Sequence, residues 1–195
     1  MSSLTNRIAA VQACLNGSRS PAEHAAVPVT AAELAAAAAS AVAAGAGSLH
    51  LHAAAGRLRV GQCGRGRLAG PDRCAGAAGI GAEAGVWSAA DAQAAWRAGG
   101  WLRIPVEISG VSAAEAAGRA DEILGLLQAG GVTVPVLLHG EDDSCWPLLA
   151  RAGQLGLATR IGLEDVLSGP DGQDVADNAE LVRLALAEWT AARTA

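Results

Sequence analysis

Short apolar runs alternate with longer alanine-rich stretches along this chain, and that rhythm does most to narrow its fold. The apolar runs, read as strands, lie at 8–15, 47–52, 80–87, 102–108, 134–139 and 159–163. Helical stretches fall between and after them at 31–44, 89–98, 113–129, 144–155 and 177–193. Several helix starts carry a capping pair, in which a hydroxyl or carboxylate meets free backbone N–H groups and an acid three residues on reaches back: Thr30 with Glu33, Ser112 with Glu115, Asp177 with Glu180. The helices tend to stop at glycine, as at Gly45, Gly99–Gly100 and Gly130–Gly131. Continuously apolar strands between helices predict an α/β fold whose parallel sheet is covered on its faces. A chain of 195 residues reads as one domain. Six strands and five helices fall short of a complete (β/α)8 barrel, which takes about 250 residues.

Composition says what fills the core. Hydrophobic residues make up 51% of the chain, yet Phe and Tyr are absent, so Ala, Val, Leu and Ile must pack with five Trp. Trp87 and Trp146 are expected to be packing residues. The net charge of −5, with arginine as the only basic residue besides histidine, argues against nucleic acid as a partner. No apolar run reaches the roughly 18 residues of a membrane span, and residues 1–7 lack the pattern of a secretory signal. Cys14, Cys63, Cys74 and Cys145 form no Cys-x-x-Cys pair, which points to free thiols and a cytoplasmic setting. One stretch breaks the rhythm. Residues 53–76 hold Arg57, Arg59, Arg65, Arg67, Arg73, two cysteines and many glycines with no helical or strand period. Alone it reads as a flexible basic loop, with phosphate binding as the alternative.

Two strand ends carry the candidate chemistry. His50 and His52 are two residues apart on a strand, so both imidazoles face the same side. They sit at the carboxyl end, where α/β folds place their sites. Either they share a divalent ion, or they are satisfied by backbone and water. Arg160, Glu164 and Asp165 close the last strand. Adjacent carboxylates point in different directions, so one can bind metal while the other acts as a base, and Arg160 can pair with a carboxylate. An acidic helix cap is the alternative. Two histidines and one carboxylate form a recurrent zinc set that leaves positions open for substrate. His139 and Glu141 end a third strand, where His139 can bind metal, support a ligand or position substrate. Asn16, Gly17, Ser18 and Arg19 form a polar turn after the first strand that is either an anion site or a plain turn. No Gly-x-Gly-x-x-Gly, Walker or nucleophile-elbow motif is present.

Taken in order, these segments resemble a known family. Ala13-Cys14-Leu15-Asn16-Gly17, the run from His24 to Thr30, and Gly47…His50-Leu51-His52 are similar to the start of the β-keto acid cleavage enzymes. Glu83-Ala84-Gly85-Val86-Trp87-Ser88, Pro135…His139-Gly140-Glu141 and Thr159…Glu164-Asp165 agree. The resemblance, which includes the 3-keto-5-aminohexanoate cleavage enzyme type, spans about 8–52 and 77–189. It implies a (β/α)8 TIM-barrel-type fold, a homo-oligomer, and a zinc or other divalent ion held by His50, His52 and Glu164. The implied reaction exchanges a β-keto acid with acetyl-CoA to give acetoacetate and a new acyl-CoA. Asp165 would be the general base, oriented by Arg160, with Asn16, Ser18, Arg19, His139 and Glu141 around the substrate. The departures are also specific. Strands three and four of the barrel have no counterpart, and residues 53–76 stand in their place. Ala53-Ala54-Ala55 follow the His-x-His where the family has Arg-Asp. The acidic residue that some members carry after the first strand falls near Ser18, and the serine-bearing pocket strand is missing. The chain is therefore expected to be a single, truncated barrel-like domain. A second reading is an inactive remnant or frame-shifted member that only binds metal or a partner chain.

Overall fold

The computed structural model describes residues 10–52 and 83–194. The aperiodic stretch 53–76 lies outside these residues, as does the first part of the strand expected at 80–87. Among the described residues the strands are β1 (Val11–Cys14), β2 (Ser48–His50), β3 (Ile104–Ile108), β4 (Val136–Gly140) and β5 (Thr159–Ile161). The helices are α1 (Ala31–Ala43), α2 (Ala89–Ala98), α3 (Ala113–Ala129), α4 (Cys145–Leu155) and α5 (Asn178–Thr194), with a single 3-10 turn at Asp142–Ser144 before α4. Among the described residues five of the six expected strands and all five expected helices are present, most of the strands shorter than expected. The remainder of the strand expected at 80–87 is reduced to two parallel bridges, Glu83 with Arg103 and Val86 with Val106.

Among the described residues every strand ladder is parallel. β1 lies between β2 and β5, and β3 pairs with β4. A parallel bridge from Leu137 to Ala158 joins β4 to the residue before β5. The order along the wall is therefore β2, β1, β5, β4, β3 and then 83–86. The last strand pairs with the first, as in a closed parallel barrel, so the fold is α/β and compatible with part of a TIM-barrel-type wall.

The helix starts follow their sequence signals. Thr30 Oγ1 accepts from the Glu33 N–H (3.2 Å) while Glu33 accepts from the Thr30 N–H (2.8 Å). Asp177 accepts from the Glu180 N–H at 2.8 Å. These caps satisfy donors that helix geometry leaves free.

Alternation along the strands divides core from site. Val11, Ala13 and Ile161 pack with Leu34, Leu181, Val182 and Ala185 in a cluster around α1 and α5. Ile104, Val106, Ile108 and Leu138 pack with Ile123, Leu127 and Leu148 in a second cluster around α3 and α4. Trp189 touches both clusters, and its indole N–H donates to the Leu157 carbonyl at 2.8 Å. The period of two then sends Cys14, His50, Glu107, His139 and Arg160 to the opposite face. Register pairs Cys14 with His50 and Glu107 with His139, so the polar groups of neighbouring strands stand level. Trp87 departs from its expected packing role, since 52% of it is exposed. Its segment joins the wall by isolated bridges and its ring lies over Gly85. Trp146 is half-buried and donates to the Ser168 carbonyl at 3.0 Å.

Candidate metal centre

The two histidines converge at the carboxyl end of β2. His50 is the last residue of that strand, and His52 lies just beyond it. Asn16 continues the ladder with its side chain: its Oδ1 accepts from the His52 N–H and its Nδ2 donates to the His52 carbonyl, both at 2.9 Å. That pair of bonds fixes His52 in strand-like register, so both rings face the same side. Their Nε2 atoms are 3.0 Å apart. Glu164 Oε1 lies 3.6 Å from His52 Nε2, and Oε2 lies 3.9 Å from His50 Nε2.

One donor atom from each of His50, His52 and Glu164 lies within 4.8 Å of the others. A tetrahedral zinc ion with bonds of about 2.0–2.1 Å spaces its donors roughly 3.3 Å apart, so the observed spacings accommodate one small divalent ion with minor side-chain adjustment. Two further observations suit a cation. Glu164 Oε2 is buried with no hydrogen-bond partner among the described residues. Burial also holds the His50 imidazole below its ordinary pKa, with the Glu164 carboxylate partly opposing, and the neutral ring is the ligating form.

Residues after β1 and β5 and at the start of α5 frame Glu164. Gly162 lets the chain pass β1, since a Cβ there would collide with the Cys14 carbonyl. Gly17, at φ +54°, leaves the space that the Glu164 Cγ fills. Arg19 Nε donates to the Glu164 carbonyl at 3.2 Å. Asn178, buried at the start of α5, accepts from the Leu163 N–H and donates to the Leu15 carbonyl, both at 2.9 Å, tying the ends of β5 and β1.

Asp165 is fully buried. Arg160 donates to its Oδ1 twice, from Nε at 3.0 Å and Nη2 at 2.7 Å. Oδ2 is buried and unpartnered among the described residues. Burial pushes the Asp165 carboxyl up to about 7, against the lowering effect of Arg160. On Arg160 itself burial disfavours the charge, yet the carboxylate of Asp165 outweighs it and holds the guanidinium more firmly protonated than usual.

His139 is fully buried, with Nε2 3.5 Å from Glu107 Oε2. Burial, seconded by Arg160, holds its pKa well below the usual value. Glu141 is half-buried, and burial with the nearby Glu107 raises its carboxyl pKa. Ser18 is exposed. His50, His52 and Glu164 thus form one cluster, with Arg160, 3.5 Å from Glu164 Oε1, linking it to Asp165. Asn16 and Arg19 reach the cluster through the backbones of His52 and Glu164. Glu107 and Asn178 escape a motif search. The signal for Glu107 was available, a lone acid alternating with Ile104, Val106 and Ile108. For Asn178 there was none beyond a helix start.

A sequence model described as beta-keto acid cleavage enzyme matches residues 9–59 and 108–193, more than half of the chain. The match ends seven residues into the stretch that breaks the strand–helix rhythm, and it omits 83–88. A search of curated proteins found no match. Among the described residues no helix is long and apolar enough to cross a membrane.

Proposed function

The chain belongs to the beta-keto acid cleavage enzyme family, and from that premise we propose that it exchanges a β-keto acid with acetyl-CoA to give acetoacetate and an acyl-CoA, at a zinc or other divalent centre held by His50, His52 and Glu164. The convergence of those three donors from two strand ends carries the reading. When bound, the ion supplies Lewis acidity toward the oxygens of a 1,3-dicarbonyl.

The protein's own groups then divide the remaining work. Asp165 takes the proton from the carbon between the two carbonyls. Its Oδ2, unpartnered among the described residues, and a pKa of about 7 support the role, because a general base works best when its pKa lies near the working pH. Arg160 orients that carboxylate by occupying Oδ1 alone. His139 and Glu141, with Glu107 beside them, form the polar flank that reads the substrate, with Ser18 exposed on the loop after β1. Asn16 and Arg19 serve by holding His52 and Glu164. The parallel strand order supports a (β/α)8-type wall.

The test is a coenzyme A exchange assay with zinc-loaded protein, acetyl-CoA and a panel of β-keto acids. Acetoacetate formation that a chelator abolishes is the expected result. Stoichiometric zinc with no turnover on any member of the panel would overturn the enzymatic reading.

A further inference from the structure

Asp142 is the one non-glycine residue among those described with a positive φ, +48°. Such a conformation is unfavourable for an L-residue and persists where surrounding contacts enforce it. The Asp142 carboxylate is 72% exposed, whereas its partner Arg19 is 19% exposed.

The conformation does aim two groups at once. The Asp142 N–H donates to the Asp165 carbonyl at 2.8 Å. Its Oδ1 accepts from Arg19 Nη2 at 2.6 Å. Arg19 in turn donates from Nε to the Glu164 carbonyl, with Glu23 3.6 Å from its Nη1 on the far side. Two consecutive carbonyls, those of Glu164 and Asp165, are therefore held by one relay that joins the loops after β1, β4 and β5.

We propose that Arg19 and Asp142 form a latch that sets the main chain of residues 164 and 165, and through it the carboxylate of Glu164 facing His50 and His52. Both are positioning residues, and neither ligates. The inference rests on the metal reading only in taking Glu164 as a ligand. The guanidinium is required as a fork, because Nε and Nη2 serve two acceptors in fixed geometry that a lysine ammonium does not reproduce.

The variants separate the parts. Asp142→Gly keeps the left-handed backbone and its N–H but removes the carboxylate. Arg19→Ala removes both bonds of the fork, and Arg19→Lys keeps only the charge. Zinc affinity, measured by competition with a chromogenic chelator, is expected to fall about 10-fold in Arg19→Ala and in Asp142→Gly. The double variant is expected to be no weaker than Arg19→Ala, since one relay is broken only once. Arg19→Lys is expected to recover only part of the loss. Amide exchange of metal-free protein should quicken in the peptide covering 160–167 and stay unchanged in α3. Wild-type affinity and exchange in the single variants, or fully additive losses in the double, would overturn the latch. Should wild-type protein bind no zinc, the metal reading fails and exchange decides: faster exchange over 160–167 supports the latch, and unchanged exchange refutes it.

Discussion

Gly17→Ala tests the site without touching a ligand. The substitution has two costs that the structure separates. At φ +54° a β-carbon costs about 1 kcal/mol in backbone strain. The new atom would also overlap the Glu164 Cγ and stand 2.8 Å from Cδ. Ordinary carbon contacts are roughly 3.5–4.0 Å, so the carboxylate must withdraw by about 1 Å, whereas a metal bond tolerates about 0.2 Å. Gly110→Ala is the control, with φ +69° and nothing within 4 Å of the added carbon. Both variants are expected to melt a few degrees lower, at about 2–4 °C per kcal/mol for a chain of this size. Only Gly17→Ala is expected to lose zinc affinity, by about 10–100-fold. Calorimetric titration with zinc, beside thermal melts in chelator, reads both effects. Wild-type zinc binding by Gly17→Ala, or an equal loss in Gly110→Ala, would refute the reasoning.

Three other outcomes follow from the same geometry. Asn16→Ala removes both bonds to His52, whose backbone then turns to water. Chemical denaturation should show a loss of about 1–2 kcal/mol and zinc titration a loss of at least about 10-fold in affinity. Asp165→Asn should keep its zinc while acetoacetate formation falls by about 100-fold or more. Wild-type turnover should rise with pH through about 7, where Asp165 ionises, so an unchanged rate in the variant rules out the base role. His139 binds its proton less readily when folded than when unfolded. Below about pH 6.5, the ordinary histidine pKa, the unfolded chain takes up that proton first, so stability present above this pH is lost as pH falls. His139→Asn should show a shallower decline in denaturation midpoint between pH 7 and 5, and parallel curves would contradict the assignment.

Much of this arrangement was legible in the sequence, for local reasons. Helix caps such as Thr30 with Glu33 act within one turn, and a period of two places His50 and His52 together from neighbours in the chain. Glu164 was legible as a strand-end acid beside a second acid of different aim. Long-range partners were not. That β5 pairs with β1, or that Arg19 reaches the Glu164 carbonyl 145 residues away, depends on the strand order of the sheet. Local patterning does not encode that order. Asn16 looked like a turn residue, and its role emerges only where His52 lies beside it. Trp87 is expected to be a packing residue, yet its segment meets β3 through isolated bridges and the residue is half exposed.

The central claim is that His50, His52 and Glu164 together hold one divalent ion. Metal content of the purified protein after zinc loading and dialysis, compared with His50→Ala and Glu164→Ala prepared alike, tests it most directly. The account predicts about one zinc per chain in the wild type, as a three-ligand site requires, and substoichiometric zinc in each variant. Stoichiometric zinc retained by either variant, or none in the wild type, would contradict it.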